Sequence, residues 1–420
     1  MRRGKKKVLF IFNATTHYYN LVLNKLNENT DYEIHLMVPK ERIHNVGPGV
    51  HQTIDNLKIP IYTVKEKVGR YIGSYFPELF KILWKVKPDI IVTLEPYQKG
   101  IFLNPFVFAT IKLLSIKIIL KNIPFRMPLY TPYKEFFKDE LRKRNRGFLN
   151  SLRAIKWSMI SYRKFFEDKI LYSKGYDGHV CYVEKAYDIY STYGVKKEAI
   201  FMTYNSPDTD MLLRINDKVK KEAEILPENP RRLIHVGRLV DWKRVDLILE
   251  AIVKLNSDFS NVEFLVLGNG PKKEEWEQYA RVLGLENQVK FLGGIYDLEL
   301  LGKYLRASSI YVLGGMGGLS INDAMCFERP ILCSECDGTE VKLVKDGFNG
   351  YFFENGNSED LARKIAMIWN DEHLQIQMGR NSRRIIENDV NINKVLEGYT
   401  GAFEYVQGLK TSKSTELSSI

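Results

Sequence analysis

Residues 314–318 read Gly-Gly-Met-Gly-Gly and follow the apolar run Ile310-Tyr311-Val312-Leu313. A glycine costs backbone entropy on folding and adds no side chain to a core, so four in five residues need a reason. A glycine turn between a buried strand and a helix lets a ligand reach backbone N–H groups, and the helix aims its positive end at that ligand. The stretch is either a place to bind phosphate or a tight structural turn. A second candidate is His235-Val236-Gly237-Arg238-Leu239-Val240-Asp241-Trp242-Lys243-Arg244, where Arg238 leaves a strand-like run and Lys243 stands near the next helix. Two cations on one such loop can clamp a diphosphate, arginine as a fork and lysine as a point charge. The same spacing also fits a solvated basic loop.

Other residues carry weaker chemistry. Asp323 follows Ser320 by three positions, a capping-box spacing with Asp in the Glu place. It serves either as a cap or as a carboxylate accepting ribose hydroxyls. The loop Asn13-Ala14-Thr15-Thr16-His17 is rich in hydrogen-bonding groups, and His17 suits an acid/base or sugar contact, although a loop histidine often does neither. Asp208-Thr209-Asp210 has the look of a metal pair or of plain linker structure, and Cys333-x-x-Cys336 lacks the second pair or histidine that zinc needs. No metal site is expected.

These residues need elements to hold them. Strand-like runs alternate with longer helical patterns: Lys7 to Phe12, Glu33 to Val38, Ile90 to Leu94, Ile116 to Leu120, Gly178 to Tyr182 and Ile200 to Thr203. A second series runs through Arg232 to Val236, Val262 to Leu267, Val289 to Leu292, Ile310 to Leu313, Pro330 to Cys333 and Gly350 to Phe353. Such alternation implies right-handed βαβ units and parallel sheets covered on both faces. The expected fold is α/β with two doubly wound Rossmann-like domains, over 1–205 and 231–394, joined by a polar Pro-containing linker at 206–230. A last helix at 395–408 packs back on the first domain, and 409–420 is a disordered tail. Ile101 to Leu120, interrupted by Asn104, Pro105, Lys112 and Lys117, reads as a buried helix leading into a strand, too broken to span a membrane.

Charge is unevenly placed in this 420-residue chain of net charge +11. Residues 1–200 carry 35 Lys/Arg against 18 Asp/Glu, or +17, which leaves 27 against 33, or −6, for the rest. A basic half fits nucleic acid, an anionic membrane or a polyanionic substrate. Its densest part, 134–164, interleaves Lys and Arg with Phe136, Phe137, Phe148 and Trp157, a pattern suited to an anionic membrane interface or to a solvated helical face. Four scattered cysteines point to a reducing compartment.

The loops of the second series, in order, resemble the carboxyl-terminal domain of GT-B retaining glycosyltransferases of family 4, over roughly 231–370. Gly237-Arg238-Leu239 with Lys243, Gly268-Asn269-Gly270-Pro271, and Val289-Lys290-Phe291-Leu292-Gly293 carry the likeness. So do Asp323-Ala324-Met325 with Arg329-Pro330, and Gly338-Thr339-Glu340 through Asp346-Gly347-Phe348-Asn349-Gly350. The resemblance implies that Arg238 and Lys243 neutralise a donor diphosphate. It implies that Gly237, Gly268 and Gly293 shape the donor site, that Gly318, Leu319 and Ser320 offer N–H groups, and that Asp323 holds the ribose. Asn205 to Thr209 resembles the segment that closes the family's first domain, which favours linker structure over metal at Asp208 and Asp210.

Two departures stand out. Where the family has an acidic pair separated by seven residues, this chain has Gly315 and Asp323, so the first acid is missing. The family's first-domain histidine is also not evident; the corresponding loops offer Glu95 and Arg126, which join Asn13 and His17 as acceptor-side candidates. The expectation is a retaining, metal-independent hexosyltransferase that uses a UDP- or GDP-linked sugar and no cofactor. It would glycosylate a glycan or lipid-linked acceptor in bacterial cell-surface polysaccharide synthesis, from the cytoplasmic face of the membrane and without nucleic acid. The alternatives are a non-catalytic GT-B-like subunit binding nucleotide or glycan, and a GT-B epimerase.

Overall fold

Apolar side chains in each strand alternate between two sheet faces, and this sorts the helices into layers. The computed structural model describes residues 5–41, 53–144, 159 and 161–409. In chain order the strands are β1 (Lys6–Ile11), β2 (Tyr32–Pro39), β3 (Ile61–Val64), the hairpin β4 (Lys67–Gly69) and β5 (Gly73–Tyr75), β6 (Ile90–Leu94), β7 (Lys117–Asn122), β8 (Gly178–Cys181) and β9 (Ile200–Met202). They continue with β10 (Arg232–Val236), β11 (Glu263–Leu267), β12 (Val289–Gly293), β13 (Ile310–Leu313), β14 (Ile331–Cys333) and β15 (Gly350–Phe352). The first sheet has the order β3-β2-β1-β6-β7-β8-β9 and the second β12-β11-β10-β13-β14-β15. Both are parallel throughout. This is the expected pair of Rossmann-like domains.

In the first sheet, Leu9, Ile11, Ile91 and Leu120 face the helices Leu79–Val86 and Ala186–Thr192, while Val8, Phe10, Val92 and Ile119 face His17–Asn29 and Ile392–Val406. The second sheet divides likewise, Leu233, Phe264 and Val312 against Val245–Leu255 and Ser358–Trp369, Ile234, Leu265 and Tyr311 against Leu298–Arg306 and Ser320–Cys326. Strand order reverses between β1 and β6 in one sheet and between β10 and β13 in the other. Loops at such switch points diverge and leave a crevice, so the fold itself brings 237–244 beside 314–319.

Two expectations are corrected. Within 206–230, Thr209–Val219 is a helix whose Leu212 and Val219 join the second core, capped by Asp208 through its acceptance from Met211 N. Polarity there marks an amphipathic surface helix, not an open linker. The region 101–120 is not one buried helix. Asn104 caps Pro105–Leu113 by accepting from Phe106 N and Val107 N, and this helix leaves Phe106 70%, Leu113 73% and the preceding Leu103 59% exposed. Apolar composition cannot distinguish a core face from an apolar face left on the surface. No helix among the described residues is long and apolar enough to cross a membrane. Of the segment 134–164, residues 145–158 and 160 lie outside the described residues, as do 410–420 of the expected tail.

Candidate functional site

The glycine loop is built around Lys243. The loops after β10 and β13 lie so close that a Cβ on Gly314 would meet Arg244 O at 2.1 Å, and one on Gly315 would meet Trp242 O at 2.1 Å. Met316 N donates to the same Trp242 O at 2.9 Å. That contact seats the 3₁₀ turn Asp241–Lys243 under the loop, and Lys243 Nζ donates to Met316 O and Gly317 O, both at 2.9 Å. One of the three ammonium hydrogens is then left for a ligand. Among the described residues no acceptor takes the N–H groups of Gly317, Gly318, Leu319 or Ser320. Burial, and secondarily the charge of Arg238, lowers the pKa of Lys243 to about 8. An anion entering here would stabilise the charged lysine and take up open N–H donors together.

Arg238 leaves β10 half-buried, its guanidinium carbon 5.8 Å from the ring centre of Trp242. Gly237, Gly268 and Gly293 sit at the ends of β10, β11 and β12. Gly237 N donates to Leu267 O at 2.9 Å and Gly268 N to Gly293 O at 2.7 Å, and a Cβ on Gly268 would fall 1.8 Å from Gly237 O. These glycines act through close backbone approach, which lines up the three strand ends.

Asp323 is not a cap. The helix Ser320–Cys326 starts after Leu319 without a side-chain cap, and Ser320 Oγ instead meets Tyr311 Oη at 2.8 Å. The Asp323 carboxyl forms no hydrogen bond among the described residues, and burial pushes its pKa up to about 7. A half-buried carboxyl without donors can take them from a ligand. The helix is only seven residues long, so its dipole adds less than the two cations.

On the facing domain, His17 opens the helix His17–Asn29. Its ring packs edge-on against Tyr18 at 5.3 Å and, across the cleft, against Tyr296 at 6.3 Å. Asn13 is half-buried at the end of the same loop. Glu95 is exposed but tied within its own domain, accepting from Asn122 Nδ2 at 3.2 Å and Tyr172 Oη at 3.1 Å. The backbone of Arg126 lies in the turn Pro124–Arg126, whose Phe125 ring reaches within 2.3 Å of the Cβ direction of Gly338. The side chain of Arg126 lies outside the described part. The first-domain loops therefore contact the second domain at Tyr296 and at Gly338.

Sequence reasoning missed Lys121. It donates to Tyr182 Oη, and its ammonium lies 5.7, 5.1 and 4.2 Å from the rings of Phe12, Tyr19 and Tyr182. Burial lowers its pKa to about 8, with no carboxylate among the groups acting on it. Tyr18, whose own pKa burial raises, feels both Lys121 and Arg238. Only the convergence of three strand ends reveals this cage; in sequence Lys121 is one basic residue among many. Asp208 and Asp210 both pair with Lys25 at 3.0 Å, which accounts for them structurally. Among the described residues no group of three or more His, Cys, Asp or Glu is placed to hold a metal. Cys181, Cys326 and Cys333 are buried free thiols and Cys336 is half-buried.

The packing of Gly315 makes a direct prediction. Gly315→Ala should destabilise the protein by about 1–3 kcal/mol, because backbone must move to admit the methyl group. Gly315→Glu should lose stability without gaining donor affinity, as urea unfolding and nucleotide titration would show.

Residues 216–385 match the family model described as glycosyl transferases group 1. Over 395 residues the chain is 24% identical to an uncharacterised glycosyltransferase of Methanocaldococcus jannaschii, covering 90% of this chain and 91% of that one. Over 171 residues it is 28% identical to the poly(ribitol-phosphate) alpha-N-acetylglucosaminyltransferase of Staphylococcus aureus, covering 40% of this chain and only 34% of that one. The solved structure of Anabaena HepE in complex with UDP superposes with a TM-score of 0.66 at 15% identity, over 95% of this chain and 99% of that one. The architecture is GT-B, and the matched relatives are glycosyltransferases.

Proposed function

Starting from a GT-B glycosyltransferase, we propose a retaining hexosyltransferase that moves a sugar from a UDP- or GDP-linked donor to a glycan or lipid-linked acceptor in cell-envelope polysaccharide synthesis. The observation that carries the donor assignment is Lys243 clasped beneath a glycine loop with open N–H donors, beside Arg238. The barrier to transfer is charge separation: the diphosphate gains negative charge while the sugar becomes oxocarbenium-like. Arg238, Lys243 and the loop N–H groups are fixed where that charge develops, so they stabilise it without reorganising. They also supply the positive charge that a divalent cation would otherwise bring, which is the basis for reading the reaction as metal-independent and free of a resident cofactor. Asp323 accepts the ribose hydroxyls. Attack occurs on the face the diphosphate leaves, the departing phosphate oxygen taking the acceptor proton, so the anomeric configuration is retained. Contact of His17 with Tyr296, and of Phe125 with Gly338, narrows the cleft against water.

On the acceptor side we assign Asn13 and His17 to the cleft. Glu95 orients Tyr172 and Asn122, and we keep Arg126 as an acceptor-side candidate on its place in the turn Pro124–Arg126. The UDP complex of HepE and the poly(ribitol-phosphate) named for the Staphylococcus aureus enzyme support a nucleotide donor and an anionic acceptor polymer. Membrane association would be peripheral, at the cytoplasmic face. In and beside 134–164, Phe136 stacks on Phe165 at 5.7 Å and Phe137 on the exposed Tyr133 at 5.8 Å, while Lys134 and Lys138 remain exposed. Apolar insertion falls to Leu103, Phe106 and Leu113.

Thermal denaturation with UDP, GDP and a panel of their sugars tests the donor assignment. A ligand at a hundred times its Kd should add about 2.7 kcal/mol. Absence of any shift with every nucleotide would sink the reading. NMR of the first-formed product tests retention, and a donor that binds but is never transferred or hydrolysed would favour the non-catalytic subunit.

A further inference from the structure

Glu340 is an acid buried against the glycine loop with one oxygen unused. It is 1% exposed. Its Oε1 accepts from Cys336 N and, at 3.3 Å, from Gly338 N, which fixes the turn after β14. Its Oε2 has no hydrogen-bond partner and no solvent contact. That oxygen lies 3.2 Å from where a side chain on Gly317 would begin, with Thr339 Oγ1 at 3.1 Å and Asp337 Oδ1 at 3.8 Å from the same point. Thr339 Oγ1 donates to Asp337 Oδ1 at 2.6 Å, so these two neighbours of Glu340 are held together. The corresponding point on Gly318 is instead 3.1 Å from Lys243 Nζ. Adjacent glycines thus separate a cationic place from a place lined by acceptors.

The loop brings no charged acceptor of its own. Residues 314–322 contain no carboxylate, and Trp242 O fills the space beside Gly315. The carbonyls of Met316 and Gly317 are already used by Lys243. A desolvated carboxylate oxygen without a donor costs free energy, so its retention under a ligand loop points to a donor that arrives with the ligand. Burial first, and after it the adjacent Asp337 carboxyl, raises the pKa of Glu340. A donor to Oε2 would relieve that cost. Glycine at 317 is the residue that leaves this oxygen near a group lying on the loop.

Resting on the nucleotide-sugar reading of this site, we propose that Glu340, with Asp337 and Thr339, accepts hydrogen bonds from hydroxyls of the donor sugar. Nucleotide and sugar are then recognised by different loops, the diphosphate after β10 and β13 and the sugar after β14. Hydroxyl-to-carboxylate bonds are charge-assisted and directional, so they distinguish epimers and deoxy sugars.

The test is calorimetric titration of the wild type, Glu340→Gln and Asp337→Asn with UDP, GDP, UDP-glucose, UDP-N-acetylglucosamine, UDP-galactose and GDP-mannose. Glu340→Gln keeps an acceptor for Cys336 N and Gly338 N. The sugar nucleotide that binds the wild type more tightly than its parent nucleotide should lose tenfold or more in Glu340→Gln, while the parent stays within twofold. Asp337→Asn should show the same pattern more weakly, and it answers the question if Glu340→Gln fails to fold. Equal weakening of nucleotide and sugar nucleotide would mean a structural acid and overturn the inference. So would unchanged sugar-nucleotide affinity in both variants, or a wild type that gains nothing from the sugar. A wild type that binds no nucleotide at all would overturn the site reading first, and the inference with it.

Discussion

Arg238→Ala should lower kcat/KM by about 10²–10³-fold with little change in stability, because it removes one of two fixed cations from a developing diphosphate charge while leaving the backbone intact. Lys243→Ala should match that loss and also destabilise the fold by about 1–3 kcal/mol. The difference lies in burial: Lys243 is 6% exposed and satisfies Met316 O and Gly317 O, which would be left unpaired, whereas Arg238 is half-buried. The double variant should fall short of the product of the two losses, since both groups act on one charge. Steady-state kinetics alongside urea unfolding separates these effects; full activity in the double variant would remove both residues from the site. Lys243 also sets a pH limit. Its pKa is lowered to about 8 by burial, so kcat/KM should fall as pH rises through 8 and the cation is lost. For stability the sign is opposite. The folded state holds this proton less tightly than the unfolded chain, so the Lys243 contribution improves from pH 8 up to the ordinary lysine range.

Asp323→Asn should stabilise the protein and weaken its donor site at the same time. Burial raises the Asp323 pKa from 3.8 to about 7. A folded-state pKa above the unfolded value means that stability is lost as pH rises through that window. Each unit is worth about 1.4 kcal/mol, giving an upper limit of about 4 kcal/mol above pH 7, which partial solvent contact reduces to about 2. Asparagine does not titrate, so its advantage over aspartate should grow by about 1–2 kcal/mol between pH 5 and pH 8. Losing a charged acceptor for ribose hydroxyls should weaken nucleotide binding by about 10–100-fold. Urea unfolding at the two pH values and titration with UDP and GDP check both signs. A variant that is less stable at pH 8, or that binds nucleotide as well as the wild type, would contradict the role given to this carboxyl. A buried acid kept at a cost to stability is the pattern expected where binding and folding make opposing demands.

The proposed membrane contact has a different footing. The basic-aromatic segment suggested it from charge, but the rings of Phe136 and Phe165 stack on each other inside the first domain. Exposed apolar residues also stand on the stretch with Leu103, Phe106 and Leu113, which the sequence had assigned to the core. Composition finds apolar residues; only packing shows which of them lack a partner.

Periodicity was enough to place both sheets, because buried parallel strands are short apolar runs separated by helical repeats, and nearly every such run became a strand. It missed β3 and the hairpin β4–β5, whose three or four residues are too few to show a period. The loops of the candidate site were legible because glycine and paired cations are costly and local: Arg238, Lys243 and residues 314–318 stand out on the one-dimensional chain. Of the two readings the spacing allowed at Ser320 and Asp323, the cap does not form, since Ser320 Oγ meets Tyr311 on the preceding strand. What the linear order could not contain is convergence. Lys243 turning onto Gly317, Trp242 closing the space at Gly315, Glu340 ending beneath the loop, and Lys121 caged by Tyr19 and Tyr182 all join residues tens of positions apart. The chain alone determined which residue types reach the strand ends, because backbone cost and hydrophobic pattern are local. The tertiary structure decided which of them meet, because burial, and with it every shifted pKa and unused oxygen, exists only after distant strands have packed.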